Sequence, residues 1–459
     1  MKIQIDRKIH MIRKDLQVLI LALSFSFLSS SELAAQSSRY WSTNLNEESS
    51  MLAGAVVGGG AGVGAIYYNP AWITENQISK FSFNANLVSL QFYKLTNALG
   101  EGIDLQTTKF NIQPRFLSFL LKPKNMKDMS FQVVILNKSR NEVELTHAQD
   151  INLDILQSLP GIERYYANFK FRKRYNEDWV GIGTSYEIKP GFSIGISMFG
   201  TAKSLRYNHS SHLYAFPLTD TIFSDTDTIP FYTANNSSSE YIRYNNYRIL
   251  WKIGLGYKSG SISMGLNIST PSINIYSDGK IVSKLDQQEN IIDPSGSGFL
   301  QNYLIADEQV KDEISINHKD PLSIAFGLNY RTPNGKHKYF FTMEYFSKLN
   351  AYTIIDANIN PNITTGSIYN ELVNKKWLSY NNDARHVVNF AVGYESEVSE
   401  DVMIMGGFKT DFSAKHHYSF ANSEGFENQI RTINADFYHL TGGGLLNVKG
   451  HRIFAGLQY

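Results

Sequence analysis

Long stretches of this sequence alternate between an apolar residue and a small or polar one. Between Val180 and Ile188 the apolar side chains occupy the even positions, whereas the odd positions hold Gly181, Gly183, Ser185 and Glu187. The same alternation recurs in runs that begin at Phe192, Ile249, Ile262, Ile324, Tyr339 and Val388. A period of two residues places the two sets on opposite faces of a β-strand. The sequence therefore predicts an all-β fold.

The length of these runs and their terminal aromatics distinguish between two kinds of β protein. A soluble sandwich or propeller also alternates, but soluble strands average ~5–6 residues, and the runs here reach about 9–15 residues with their flanks. Several end in a tyrosine beside a turn, namely Tyr186, Tyr257, Tyr330 and Tyr394. Such rings suit the aromatic girdle of an outer-membrane barrel. We therefore predict a membrane-spanning antiparallel β-barrel.

Thirteen strands can be counted along the chain. They lie near 79–94, 108–122, 129–146, 164–188, 191–207, 241–258, 261–277, 315–332, 337–355, 384–396, 401–413, 434–447 and 451–459. Bacterial single-chain barrels have even strand numbers, so the expected total is about 14. Short turns alternate with long polar connections, which are predicted as outer loops near 95–106, 148–163, 209–239, 279–314, 356–383 and 414–433.

The amino terminus predicts export. Residues 1–36 combine a basic start, an apolar run from Leu16 to Leu28 and the small pair Ala34-Ala35. The apolar run is too short for a membrane anchor, which needs ~20 residues, so the segment is interpreted as a signal peptide. After its removal, the expected location is the outer membrane of a Gram-negative bacterium, as a multi-pass β-barrel.

Charge and composition exclude several functions. Lys plus Arg total 43 against 42 for Asp plus Glu, giving a net charge of +1, so we expect no nucleic-acid partner. The chain has no cysteine, which excludes disulfides and thiolate metal sites. Neither a zinc-protease nor a phosphate-binding motif occurs. We therefore expect no enzymatic activity, no cofactor and no metal site.

Residues 37–78 precede the first strand and provide the main functional clue. A barrel of about 14 strands is too wide to be filled by its own side chains, and this segment is too apolar to remain in solvent. Small residues that allow close packing occupy its centre, including Gly58, Gly59, Gly60, Gly62 and Gly64. Asn69-Pro70 then sets an extended turn. We interpret residues 37–78 as a hatch inside the lumen and 79–459 as the barrel; the alternative is that Asn69-Pro70 merely ends a turn before the first strand.

The segment also contains a short motif, which consists of Ala53-Gly54 and, further on, of Ala65 to Ile73 with Asn69-Pro70-Ala71 at its centre. This motif resembles the FadL/TodX family of outer-membrane transporters. The resemblance implies a 14-stranded barrel with an N-terminal hatch that contains Asn69, Pro70 and Ala71. It also implies passive uptake of hydrophobic small molecules, namely long-chain fatty acids or hydrocarbons, with release through a gap at a kinked strand. The expected surroundings are outer-membrane lipid and lipopolysaccharide.

The alternation changes phase at Pro271. Even positions are apolar up to Ile268, and odd positions are apolar from Ile273. Since proline lacks a ladder donor, the shift predicts a strand kink, which could be a lateral opening or an ordinary bulge. Two other functions remain open: a general porin without a hatch, and a barrel of this family that acts as a structural or secretion-accessory component.

Overall fold

The computed structural model describes residues 39–41, 44–75, 81–95, 105–123, 125–126, 128–154, 162–218, 232–292, 299–356, 380–415, 436–448 and 451–459. The predicted signal peptide lies outside the described residues. So do most of the outer connections predicted near 356–383 and 414–433.

Short helices come first and strands follow. The helices are α1 (Glu47–Met51) and α2 (Ala65–Tyr68), with 3-10 turns at Gly62–Gly64 and Pro70–Ile73. The strands are β1 (Phe81–Leu95), β2 (Leu105–Leu121), β3 (Met129–Leu153), β4 (Glu163–Lys189), β5 (Phe192–Pro217), β6 (Tyr232–Ser259), β7 (Ile262–Ser269), β8 (Ile273–Ile292), β9 (Phe299–Lys311), β10 (Ser323–Arg331), β11 (His337–Phe346), β12 (Leu349–Ile355), β13 (Tyr380–Ala384), β14 (Val387–Ser399), β15 (Val402–Asp411), β16 (Phe437–Val448) and β17 (His451–Gln458). Within the described ranges, no helix combines the length and hydrophobicity needed to cross a membrane.

One large antiparallel sheet contains fifteen of these strands, which confirms the predicted all-β antiparallel architecture. Thirteen of them form a continuous path, in the order β1-β2-β3-β4-β5-β6-β7-β10-β11-β14-β15-β16-β17. The remaining two, β8 and β9, extend the sheet beside β6. In the part of the chain that the structure describes, no ladder joins β1 to β17, so hydrogen bonds do not close the sheet there.

Several strands continue far beyond the length that a membrane requires. A crossing takes ~9–11 residues, but β4 has 27 and β6 has 28. The prediction of loops near 148–163, 209–239 and 279–314 is therefore wrong over much of these ranges, which belong to β3, β4, β5, β6, β8 and β9. The physical reason is that a ladder satisfies the backbone whatever the side chains are. A strand that has solvent beside it can carry polar residues on both faces.

The outer face of the sheet carries a band of exposed apolar side chains. On β4 it runs from Val180 to Ile188, and its members are 47–55% exposed at Val180, Ile182, Tyr186 and Ile188. Nine residues span about 30 Å along a strand, or roughly 23 Å of height at a tilt of about 40°. That height matches the ~25 Å apolar belt of outer-membrane barrels.

Candidate functional site

The N-terminal segment, residues 44–75, lies against the inner face of the sheet. Its hydrogen bonds reach strands on several sides of the lumen: Gln132 of β3 donates to the Val63 carbonyl at 2.7 Å, and Ser197 of β5 donates to the Ile66 carbonyl at 2.9 Å. Across the lumen, Thr441 of β16 donates to the Met51 carbonyl at 2.8 Å. The segment is therefore enclosed by the curved sheet, and its apolar residues belong to the main buried cluster.

Asn69 holds this segment together and attaches it to the wall. Its backbone is extended, with φ −160°, and its side-chain oxygen accepts from the Ala71 amide at 3.1 Å, starting the 3-10 turn at Pro70. Its side-chain amide donates to the carbonyls of Val57 and of Leu255 in β6, at 3.0 and 3.1 Å. The Trp72 indole also donates to the Val57 carbonyl, at 2.9 Å. A fully buried asparagine thus makes three hydrogen bonds, one of them to the sheet.

Glycines on the inner face of the sheet allow this approach. An added Cβ at Gly265 would lie 2.0 Å from the Val57 carbonyl oxygen, and one at Gly327 would lie 2.1 Å from the Gly58 nitrogen. Ten glycines on nine strands have such contacts with the segment, and we call them the glycine belt: Gly183, Gly195, Gly254, Gly256, Gly265, Gly327, Gly393, Gly407, Gly443 and Gly456. Many pair across strands, as Gly265 does with both Gly256 and Gly327. At Gly195, Gly265, Gly327 and Gly407 the sheet and the segment therefore meet backbone to backbone, whereas Gly183, Gly256, Gly443 and Gly456 lie against side chains of the segment.

The glycines predicted to pack the hatch lie in the enclosed segment. Gly59, Gly60 and Gly62 have positive φ values of 127°, 81° and 53°, which favour glycine. At Gly58 a Cβ would lie 2.8 Å from the Gly327 backbone, and at Gly64 it would lie 2.4 Å from the Asn46 side-chain oxygen. The structure therefore brings these residues together with Asn69, Pro70 and Ala71 in one segment, in which Gly60 is exposed and Gly62 is half-buried. Sequence reasoning missed the glycine belt, although glycines on the small faces of nine strands were its signal.

A cavity of about 70 Å³ lies next to the segment. Tyr67, Tyr68 and Trp179 provide aromatic walls, and Leu250 provides an aliphatic one. Its charged lining comprises Lys138, Lys252, Asp320, Glu344 and Lys409. Burial raises the pKa of the Tyr67 hydroxyl well above its usual value, so this side chain is a neutral wall. The cavity is therefore lined by both apolar rings and charges.

Two cavity lysines have aromatic neighbours. The Lys252 ammonium donates to the Ser269 hydroxyl at 2.9 Å and lies 4.4 Å from the centre of the Tyr67 ring. The Lys138 ammonium lies 4.5 Å from the Trp179 ring. Among the described residues, neither lysine forms an ion pair with a carboxylate, since Asp320 pairs with Arg248 and Glu344 accepts from Trp41 and Ser323. An anionic group could therefore be held between these ammonium groups.

The connection between β9 and β10, residues 312–322, closes the outer side of this region. Ile314 and Ile316 are buried in a second apolar cluster with Ile242 and Tyr244. Below this cluster, Glu177 accepts from Arg248 and Trp179 at 3.0 Å each, and from Tyr175 at 2.8 Å. Arg248 also pairs with Asp320 of the connection, which links the connection to the wall.

The wall is interrupted between β2 and β3. Among the residues that the structure describes, their ladder contains only the pairs from Leu121–Phe131 to Phe116–Leu136. Beyond Leu136, β3 pairs with β4 alone, and its register shifts between Asn137 and Ser139. Lys138 is the residue inserted at this bulge, and it also lines the cavity. The cavity therefore adjoins the point at which two neighbouring strands of the wall separate.

Pro271 lies in the gap between β7 and β8. The ladder of β6 runs with β7 up to Ser269 and resumes with β8 at Ile273, so β6 continues past the gap. The Trp251 amide donates to the Thr270 side-chain oxygen at 3.0 Å, so a side chain replaces a ladder partner of β6 at the gap.

Several solved structures are similar to this chain over most of its length. The chain matches the Pseudomonas putida toluene transporter TodX with a TM-score of 0.53 and 13% identity, over 90% of this chain and 92% of that one. It matches a Pseudomonas aeruginosa FadL homologue with a TM-score of 0.51 and 12% identity, over 92% and 89% of the two chains. The chain shares their fold. At the level of the fold, the resemblance indicated by Asn69-Pro70-Ala71 is thereby confirmed.

A third match is the CymD monoaromatic hydrocarbon channel, with a TM-score of 0.50, 10% identity and coverage of 91% and 92%. No protein-family model matches the sequence. No curated protein matches it either.

Proposed function

We propose that this protein is a passive, non-enzymatic outer-membrane transporter of hydrophobic molecules, and that its preferred substrates carry an anionic head, as long-chain fatty acids do. The cavity is the observation that carries the proposal, because it combines aromatic walls with Lys252 and Lys138. A buried methylene gains ~0.8 kcal/mol, so an alkyl chain can leave water for an apolar surface. Two ammonium groups would then favour a carboxylate over a hydrocarbon.

The N-terminal segment acts as the hatch in this proposal. A solute cannot move straight through it, since the Val57 and Gly58 backbone is in contact with Gly265 and Gly327 of the wall. The separation of β2 from β3 offers a lateral route from the cavity. A general porin would need an open axis, and the contacts of residues 44–75 with β3, β5 and β16 favour a transporter with a hatch over a porin.

The transport proposal is tested with purified protein in vesicles whose outer leaflet is lipopolysaccharide, because its sugar layer slows spontaneous lipid entry. We expect the protein to accelerate oleate uptake. Because the natural chain has no cysteine, the double variant Arg115→Cys/Asn137→Cys can be bridged across the gap with a bis-maleimide. Bridging should stop uptake, whereas the same treatment of Val180→Cys/Gly200→Cys, a pair within the β4–β5 ladder, should not.

Substrate preference is tested separately. Replacing Lys252 and Lys138 with methionine keeps the volume but removes both charges. Since hydrogen bonds to charged groups contribute ~1.5–3 kcal/mol, we expect roughly 10-fold or more weaker apparent affinity for oleate and unchanged toluene uptake. Lys338→Met, at a cation paired with Glu395 outside the cavity, is the matched control. Equal losses for oleate and toluene would show that the lysines do not select the head group, and absence of any uptake by the natural protein would refute transport.

A further inference from the structure

Four cations lie side by side on the outer face of the sheet. Arg174 of β4 is in register with Arg206 of β5, Arg206 with Arg243 of β6, and Arg243 with Lys280 of β8. The ladder between β4 and β5 continues without a register shift from Arg174 to the exposed Val180, so these two residues share a face. We call these four residues the cation row.

The ends of the cation row are neutralised, but its centre is not. The Arg174 guanidinium pairs with Glu142 at 2.7 Å, and the Lys280 ammonium pairs with Asp312 at 2.9 Å. Within the described ranges, no carboxylate lies within 4.0 Å of the cationic groups of Arg206 or Arg243. Like charges directly opposite each other on adjacent strands are destabilising. The row therefore carries an unfavourable interaction that an external anion would relieve.

The height of the row indicates where such an anion would be. On the membrane side of the row, the outer face carries the aromatic pair Tyr247 and Tyr276, whose ring centres are 6.0 Å apart; a second pair, Tyr166 with Tyr214, lies on the far side of the row. Arg243 lies four residues further along β6, which is about 13 Å along the strand and roughly 10 Å of height at a barrel tilt. This level lies beyond the hydrocarbon and at the polar head groups of the outer leaflet.

We propose that Arg206 and Arg243, flanked by Arg174 and Lys280, bind the phosphate groups of lipopolysaccharide in the outer leaflet. Guanidinium groups suit phosphate because they donate two parallel hydrogen bonds. Adjacent strands are ~4.8 Å apart, so neighbouring arginines can reach one phosphate together. The proposal rests on the outer-membrane location proposed above, but it does not depend on transport.

The test uses the full chain in detergent and measures binding of diphosphorylated and dephosphorylated lipid A. The natural protein should prefer the diphosphorylated form. The double variant Arg206→Gln/Arg243→Gln should bind that form at least about tenfold more weakly and lose the preference. The matched control Arg164→Gln/Lys284→Gln removes two charges from the same face, where each cation already has a carboxylate partner, Asp150 and Glu308. It should retain the natural affinity.

Stability provides a second, independent readout. Without lipid, Arg206→Gln/Arg243→Gln should unfold at a higher temperature than the natural protein, because the like-charge contact is gone. Diphosphorylated lipid A should then stabilise the natural protein and not the variant.

Equal binding of both lipid A forms by the natural protein would overturn the proposal, as would equal losses in the test and control variants. Competition by inorganic phosphate at the same concentration as lipid A would also overturn it, since that result would indicate a general anion site. Oleate uptake by the same variants is expected to be unchanged, so failure here and failure of transport can be told apart.

Discussion

Replacing Asn69 with alanine should release the N-terminal segment from the wall. The substitution removes hydrogen bonds to the Ala71 amide and to the carbonyls of Val57 and Leu255. Cleavage requires the segment to leave the wall and to unfold locally, which breaks the two bonds within the segment as well as the one to the wall. At ~1 kcal/mol for each bond, the enclosed state loses about 3 kcal/mol. Since every 1.4 kcal/mol is a factor of ten, the population of the released segment should rise roughly 100-fold.

Limited digestion with chymotrypsin measures this population, because Tyr67, Tyr68 and Trp72 become cleavable only after release. When opening and closing are fast relative to cleavage, the cleavage rate follows the open population. The matched control is Asn246→Ala. Asn246 is just as buried as Asn69, at 0% exposure, but its bonds go to Asn274 and to Ile316 of the outer connection. Cleavage of Asn69→Ala at the natural rate, or equal acceleration at Tyr67 and Tyr68 by Asn246→Ala, would refute the role assigned to Asn69.

Two further predictions concern the enclosed segment, and a third concerns the connection 312–322. Gly265→Ala places a Cβ 2.0 Å from the Val57 carbonyl oxygen, so overpacking should destabilise the enclosed state by ~1–3 kcal/mol and accelerate chymotrypsin cleavage. Gly442→Ala is the control, because no atom lies within 4 Å of the added Cβ, and it should leave the cleavage rate unchanged. Trp72→Phe loses one hydrogen bond, to Val57, and should accelerate cleavage only about fivefold; an effect as large as that of Asn69→Ala would contradict the bond counting. Burial lowers the pKa of His318 well below its usual 6.5. As pH falls below 6.5, His318 therefore gains a proton first when the connection 312–322 is detached, and the amide hydrogens of this connection should exchange faster. His318→Gln should abolish that part of the pH dependence.

The sequence predicted the strands well where one face is apolar and the other small. Alternation around Val180 and Ile253 depends on contact with different surroundings on the two faces, and the period of two records this difference directly. It located β4, but it ended β5 near 207, whereas that strand continues to Pro217, and it placed β9 (Phe299–Lys311) within a loop. There the hydrogen bonds of the backbone ladder determine the structure, and the hydropathy pattern of the sequence does not reveal them.

The site was predictable only in part. Asn69-Pro70-Ala71 was found because a short motif sets local geometry, and its three side-chain hydrogen bonds follow from that turn and its place against β6. The glycine belt and the cation row depend on register, since Arg206 and Arg243 are 37 positions apart in the sequence and adjacent in the sheet. Cross-strand partners of this kind require knowledge of both turns and bulges. Lys138 could be assigned to the cavity only after the bulge between Asn137 and Ser139 was seen.

Because of the glycine belt, the amino-terminal portion and the strands have to change together during evolution. Where main chain touches main chain, as at Val57 and Gly265, a bulkier residue on one partner has no side chain opposite that could shrink to make room. Exchanging residues 44–75 for the equivalent stretch of a distant relative should therefore give misassembled chimeras, however similar the two outlines are. Diversity in substrate range is then expected to accumulate around Lys138 and Lys252, where side chains face open space.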